Sequence, residues 1–359
     1  MSTTETGLVG SQLPLDALTH VPHTDDPQKP KDYTSDQEVR WCPGCGDYVI
    51  LATIRALLPK LGLKRENIAF VSGIGCSSRF PYYLETYGMH SIHGRAPSIA
   101  TGLATTREDL SVWVVTGDGD AMSIGGNHLI HTLRRNVNMN ILLFNNRIYG
   151  LTKGQYSPTS EPGKVTKSSP MGSLDHPFNT LSLALGAEGT FVARALDSDR
   201  KGLTEVLDAA ARHRGTSFIE ILQDCPIFND GSFDLLRKEN AGDHLIAVRH
   251  GEKIIFGDEG QHCVVRNGFS LTVAATADVD ESDIIVHDAH SPDPAYAQAL
   301  ASLSSQDLQY TVTGIIRQVH RETYDDQARA QVATAKEHSP TDLQALINGN
   351  NTWTVGTTA

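Results

Sequence analysis

Long apolar runs are missing from this sequence. No stretch approaches the roughly 20 apolar residues of a transmembrane helix, so no membrane span is expected. Basic residues are also short: 30 Lys and Arg stand against 42 Asp and Glu, a formal net charge of −12. Without clustered Lys and Arg there is no cationic surface for nucleic acid. The N-terminus has neither the basic start nor the apolar run of a secretory signal, and the chain is expected to stay in the cytoplasm. Cysteine is scarce and odd in number: Cys42, Cys45, Cys76, Cys225 and Cys263. Five thiols in a long, unsecreted chain make a poor disulfide framework, which turns attention to metal or cluster ligation. Internal repeats are absent as well. Apolar residues reach only 39%, still enough for a core. Part of that deficit is local. The first 35 or so residues, rich in Thr, Asp, Pro, Gln and Lys, read as a flexible arm or partner-wrapping segment. The tail from Asn348 on looks similar.

What is present is a strand–helix alternation. A chain of 359 residues suits one large α/β domain with additions, or two modest domains. Ile68–Ser72, Val112–Thr116, Asn140–Asn145 and Ser217–Leu222 are continuous apolar runs of the kind found in strands buried on both faces. Helical patterns cover Asp47–Leu61, Asn127–Arg135 and Ser198–His213. The last has Asp199 near its start and Arg212 near its end, the charge order the helix dipole favours. Such alternation predicts an α/β fold, a mostly parallel sheet with helices on both faces. Ligands of such sheets sit beyond the carboxyl ends of the strands. Gly150–Pro177 is too long and polar for a simple connection and reads as a functional loop. The expected division is an N-terminal arm (1–35), an α/β domain (36–230) and a C-terminal extension packed on the core (231–359). In the extension, Lys253–Phe256 and Leu271–Ala274 are strand-like and Pro294–Leu303 is helical.

Two motifs carry chemistry. Gly117-Asp118-Gly119-Asp120 closes one predicted strand, and Asn145-Asn146-Arg147-Ile148-Tyr149-Gly150 closes the next. Glycines flanking Asp118 let backbone approach a phosphate. The Asp118 carboxylate, the Asn146 amide oxygen and the Ile148 carbonyl are the hard oxygen donors that Mg²⁺ takes when it bridges protein to phosphate. Either half alone can be a turn; both on successive strand ends are far more specific. The second motif is Trp41-Cys42-Pro43-Gly44-Cys45-Gly46. Cys-x-x-Cys suits half a zinc site, a redox pair or part of a cluster. No second such pair is present to complete a zinc ribbon. Cys76, in Ile74-Gly75-Cys76-Ser77-Ser78, and Cys225 each follow a predicted strand and could complete a four-thiolate set.

Together with His93-Gly94-Arg95-Ala96, and with the Asn145–Gly150 run continuing Leu151-Thr152-Lys153-Gly154-Gln155, these motifs occur in an order that resembles the β subunit of 2-oxoacid:ferredoxin oxidoreductases. The likeness is dense over about residues 38–230 and most like the 2-oxoglutarate type, with pyruvate or a broad range of 2-oxoacids as the alternative. It implies a thiamine-diphosphate-binding fold with Mg²⁺ on Asp118, Asn146 and Ile148, and one [4Fe–4S] cluster on Cys42, Cys45, Cys76 and Cys225. It implies that Ile74, Gly75, Cys76, Ser77, His93, Gly119, Asp120, Gly150 and Leu151 contact the cofactor. It further implies a partner α subunit in an α₂β₂ assembly, supplying the glutamate that activates the cofactor. Coenzyme A and a 2-oxoacid would be substrates, and ferredoxin the electron acceptor.

Arg79, after the Cys76 loop, is a candidate for the substrate carboxylate, set against an ordinary ion pair. Lys153 is a candidate for a substrate or cofactor contact, set against a solvated loop. His93 is the third candidate catalytic residue, whereas His90 reads as structural. His128 and His131 share a helix face without a carboxylate at metal-site spacing and read as surface. Cys263 matches no motif and reads as a buried thiol. Two rivals remain. A non-redox thiamine enzyme leaves four placed cysteines unexplained, and a zinc or iron–sulfur interaction module leaves the Gly-Asp-Gly motif unexplained.

Overall fold

The computed structural model describes residues 16–239, 241–338, 342–353 and 355–356. In chain order the elements run α1 (Asp47–Leu61), β1 (Ile68–Ser72), β2 (Tyr87–His90), α2 (Ala96–Thr106), β3 (Ser111–Gly117), a single turn α3 (Asp118–Ala121), α4 (Gly126–Arg135) and β4 (Met139–Asn145). Then come α5 (Thr180–Gly186), β5 (Phe191–Leu196), α6 (Arg200–Arg212) and β6 (Thr216–Leu222). The C-terminal part holds β7 (Leu245–Val248), β8 (Ile255–Phe256), β9 (His262–Asn267), β10 (Ser270–Ala275), α7 (Pro294–Ala301), β11 (Thr311–Gln318), α8 (Tyr324–His338) and α9 (Leu343–Asn348).

One sheet organises the molecule, in the order β2-β1-β3-β4-β6-β5-β11-β7. All neighbours pair in parallel except β11 with β5. The side-chain period of two sends alternate residues to opposite faces. Phe70, Trp113, Val115, Leu142, Phe144 and Ile219 pack beneath α1 and α6. Val71, Val114, Ile141, Leu143 and Phe218 pack against α2, α4 and α5. Both faces are covered, which is why β1, β3, β4 and β6 are continuous apolar runs. Helix ends follow local chemistry. Gly62 closes α1 in the left-handed region at φ 67°, and the Asp199 side chain accepts from the Gly202 N–H at the start of α6.

The four core strands read from the sequence appear within a residue of their expected limits, and the strand-like run Lys253–Phe256 shortens to Ile255–Phe256. Several elements of the main sheet and its layers had no clear sequence signal, β7 and β11 among them. β2 is a short edge strand exposed along its length. β5 carries a buried arginine, Arg194, in an otherwise apolar run. α2 and α5 are short and rich in small and hydroxyl residues.

Two expectations need correcting. Residues 231–359 do not simply pack on the core, because β7 and β11 extend its sheet; only β10-β9-β8 form a separate antiparallel sheet. The arm is not free along its described length either: Leu18, Val21 and Tyr33 are buried, where they join the cluster containing α1. Its first 15 residues lie outside the described residues, as does part of the tail after Asn348. The predicted loop after Gly150 runs to Asn179 without a helix or strand.

Candidate active site

The strand order turns back at β1: the chain leaves β1 for β2 on one side and then for β3 on the other. Such a switch point opens a crevice at the carboxyl ends of the strands. A cavity of about 510 Å³ lies there. Its wall comes from Ile74, Gly75, Cys76 and Ser77 after β1, from His93 after β2, and from Asp118, Gly119 and Asp120 after β3. Asn146, Ile148, Gly150 and Leu151 after β4 complete the expected set. Every residue that the resemblance implied for cofactor or Mg²⁺ contact therefore faces one cavity. Tyr149, Thr152, Gln155 and Gln223 also line it and had no assigned role.

Close approach explains two glycines. A Cβ on Gly119 would lie 2.2 Å from the Tyr149 ring, whose hydroxyl donates to the Gly119 carbonyl at 2.8 Å. A Cβ on Gly73 would lie 1.7 Å from an Asp120 oxygen. Asp120 is buried and its carboxylate is fully engaged. Oδ1 accepts from His93 Nδ1 at 2.6 Å and from the Gly94 N–H at 2.7 Å. Oδ2 accepts from Thr116 Oγ1 at 2.6 Å. Asp120 thus orients His93, and its own carboxylate is not free for a ligand.

Asp118 is held differently. Its Oδ2 accepts from Ser157 Oγ and from Thr159 Oγ1 at 2.6 Å. Burial pushes its carboxyl up to about 6, against the opposing pull of those two hydroxyls. Both hydroxyls come from the long loop after Gly150, and sequence reasoning missed them; loop length was the only signal. Asn146 Oδ1 accepts from the Ile148 N–H at 3.2 Å, which closes the turn that presents Asn146 and Ile148.

Four cysteines gather beside the cavity. The Cys45 N–H donates to the Cys42 carbonyl at 3.1 Å, with Gly44 at φ 83° completing the turn. Trp41 Nε1 donates to the Cys76 carbonyl at 2.7 Å, and Gly46 N–H donates to the Asp224 carbonyl at 3.3 Å. A Cβ on Gly150 would lie 3.6 Å from both Cys76 Sγ and Cys225 Sγ. Burial raises the Cys76 thiol to about 12, and the nearby Asp47, Cys225 and Cys42 act in the same direction. Cys45 and Cys225 are likewise raised, first by burial. Asp47 beside them is pushed to about 7 by burial.

Two expected contacts are not brought into this cavity. Arg79 Nη1 donates to the Arg40 carbonyl at 3.2 Å, and its charge acts on Cys76. It does not line the cavity wall. The turn after Cys76 carries it to the cysteine side. Lys153 is exposed and also absent from the wall; its loop turns through φ 76° there. His90 Nδ1 lies 3.1 Å from both Ser72 Oγ and the Ser78 carbonyl, a structural setting. His128 sits on α4 against Arg95, and Cys263 is buried on β9.

Within the sheet, Asn145 Nδ2 at the end of β4 donates to Glu220 Oε1 on β6 at 2.7 Å, and Arg194 Nε on β5 donates to Glu220 Oε2 at 2.6 Å. Burial works to raise the Glu220 carboxyl, but Arg194 and its hydrogen-bond donors hold it below the ordinary value.

Comparison with known proteins agrees with this architecture. Residues 73–221 match the family model "Thiamine pyrophosphate enzyme, C-terminal TPP binding domain". That span holds the whole cavity wall except Gln223, while Cys42, Cys45 and Cys225 fall outside it. The chain is 72% identical over 355 residues to 2-oxoglutarate oxidoreductase subunit KorB of Mycobacterium tuberculosis, covering 98% of this chain and 94% of that protein. It is 44% identical over 199 residues to 2-oxoacid:ferredoxin oxidoreductase 2, subunit beta, of Aeropyrum pernix, covering 55% of this chain and 64% of that one. Among solved structures it is similar to 2-oxoglutarate:ferredoxin oxidoreductase from Magnetococcus marinus with 2-oxoglutarate, coenzyme A and succinyl-CoA bound. That match has a TM-score of 0.72 and 34% identity over 91% of this chain and 98% of that chain. With near-full-length identity at this level, and a cavity built as the motifs require, the chain belongs to the family of 2-oxoacid:ferredoxin oxidoreductase β subunits.

Proposed function

We propose that this chain is the thiamine-diphosphate- and [4Fe–4S]-binding β subunit of an enzyme that oxidises 2-oxoglutarate with coenzyme A and passes the electrons to ferredoxin. The observation that carries the reading is the double role of the Cys76 loop. Cys76 lines the cavity and also stands with Cys225 beside Gly150. A cluster held there adjoins a cofactor held in the cavity. The relatives named for 2-oxoglutarate support the substrate.

The residues fit both groups. Asp118 is a buried carboxylate whose side-chain partners are hydroxyls, so a divalent cation would offset its charge. Asn146 and the Ile148 carbonyl would share that ion. Gln223 lines the cavity with its Oε1 buried and without a hydrogen-bond partner among the described residues. On the cysteine side, Cys42, Cys45, Cys76 and Cys225 are a four-thiolate set. Among the described residues no three His, Cys, Asp or Glu side chains close tightly enough to hold one metal ion. A zinc ion would need its sulfurs at about 2.3 Å, whereas a four-iron cluster spreads its thiolates around a larger body.

When bound, thiamine diphosphate supplies a carbon nucleophile for a keto carbon and an acceptor for the electrons left by departing CO₂, and the cluster supplies a one-electron exit. His93, fixed by Asp120, presents its other ring nitrogen as a group that can hold or move a proton at the cavity wall. The acidic side chains on that wall, among the described residues, are Asp118 and Asp120, and both are committed. As the family resemblance implies, the activating glutamate is assigned to a partner α subunit, in an α₂β₂ assembly.

Anaerobic purification with that partner tests the reading. The expected result is a brown protein with thiamine diphosphate, Mg²⁺ and one four-iron cluster per chain. A colourless protein that binds thiamine diphosphate but no iron would point to the non-redox thiamine reading instead.

A further inference from the structure

The mechanism so far leaves a buried polar chain unused. Asp118, Thr159, Asn145, Glu220 and Arg194 are all buried and run from the cavity wall across three neighbouring strands, β4, β6 and β5. Arg194 and Glu220 stand opposite each other on β5 and β6. Arg194 also reaches Ser304 Oγ at 2.7 Å. Such an ion pair is weak evidence for stability, because desolvation offsets most of its attraction. Its value here is directional.

Donor arithmetic sets the direction. Ionised Glu220 can only accept. It therefore draws the NH₂ of Asn145 towards itself at 2.7 Å. The amide oxygen then faces the other way, where it accepts from the Arg147 N–H at 3.1 Å and stands 2.9 Å from Thr159 Oγ1. Thr159 has one hydroxyl proton and two acceptors within reach. The charged one is nearer: Asp118 Oδ2 lies at 2.6 Å, and a charge-assisted bond is the stronger. The longer leg to Asn145 Oδ1 makes this a three-centre bond: Asn145 Oδ1 and Asp118 Oδ2 hold the Thr159 hydroxyl between them, and Thr159, together with Ser157, holds one oxygen of Asp118.

We infer that Glu220, acting through Asn145 and Thr159, is a positioning residue that orients Asp118 for its divalent cation. This rests on the assignment of Mg²⁺ and thiamine diphosphate to the cavity. None of the three residues touches the reacting atoms. Glu220 and Thr159 belong to neither sequence motif. The ion pair keeps Glu220 charged, so the Asn145 amide cannot flip. Replacing it with a carboxamide, in Glu220→Gln, removes that bias and leaves Arg194 without its counter-charge.

The test uses the full chain in its purified complex. Mg²⁺ is titrated at fixed thiamine diphosphate, with tryptophan fluorescence reporting binding; melting midpoints are recorded without metal or cofactor. Thr159→Val is expected to raise the Mg²⁺ concentration for half-saturation by about 10- to 100-fold, the usual cost of losing a partner to a metal ligand. Its metal-free melting midpoint should stay near wild type. Thr159→Ser, which keeps the hydroxyl, should recover near-wild-type Mg²⁺ affinity, and Glu220→Gln should weaken it in the same sense as Thr159→Val. If Glu220→Gln does not fold, the Thr159 pair still decides. Wild-type Mg²⁺ affinity in Thr159→Val overturns the positioning role alone. A wild-type complex that binds thiamine diphosphate without any divalent cation overturns the metal assignment, and this inference with it.

Discussion

Asp118 concentrates the residue-scale argument, because its side-chain partners are hydroxyls, whereas Asp120 is engaged by a histidine. Asp118→Ala is expected to abolish retention of thiamine diphosphate while the fold survives, checked by cofactor content and circular dichroism of the purified variant. Normal cofactor content would remove Asp118 from the metal. Arg79 makes the opposite case. Its place after the cluster motif suggested a substrate contact, yet its guanidinium is turned to the Arg40 carbonyl. Arg79→Ala is therefore expected to leave KM for the 2-oxoacid close to wild type. A charge-assisted pair lost from substrate would instead cost about 1.5–3 kcal/mol, more than tenfold in KM. Motif residues were legible because their chemistry is written in adjacent letters. Ser157, Thr159, Glu220 and Gln223 were not, because they reach the site through folding of a long loop and a neighbouring strand.

Elements differ in how openly their sequence declares them. β1, β3, β4 and β6 were legible because burial on both faces leaves an unbroken apolar run. β11 was missed because it joins the sheet antiparallel, from far along the chain, with a register shift between Ile315 and Arg317. Two measurements probe the layers. Trp113 is fully buried and stacks on Phe70 at 5.8 Å, so Trp113→Ala is expected to cost about 3–5 kcal/mol in denaturant unfolding. His213, just past α6, lies 2.9 Å from Thr190 Oγ1, and burial lowers it from 6.5 to about 4. The unfolded chain thus binds a proton that the native chain refuses between those values. Stability should fall as pH drops from about 6.5 to about 4, by roughly 3 kcal/mol for this group. His213→Gln should flatten that part of the pH profile, and an unchanged profile would show that His213 is not the group responsible.

At the scale of the whole molecule, one sheet places a cofactor cavity and a set of thiols on the same crevice. The thiols come from Cys42 and Cys45 before α1, Cys76 after β1 and Cys225 after β6. Serine at each of these four positions is expected to lose or degrade the cluster, whereas Cys263→Ser should keep its iron, because Cys263 is buried on β9 in the small sheet. Cys225→Ser is the sharpest of these, since Cys225 lies farthest along the chain from its partners; a full, stable cluster in that variant together with iron loss in Cys263→Ser would refute the ligand set. The central claim joins the cavity to the thiols in one reaction. It is tested most directly by anaerobic reduction of ferredoxin by the assembled enzyme, with each 2-oxoacid in turn, with and without coenzyme A. Rapid reduction that requires coenzyme A and is fastest with 2-oxoglutarate is the predicted result. Release of CO₂ from a 2-oxoacid without any reduction of ferredoxin would contradict it.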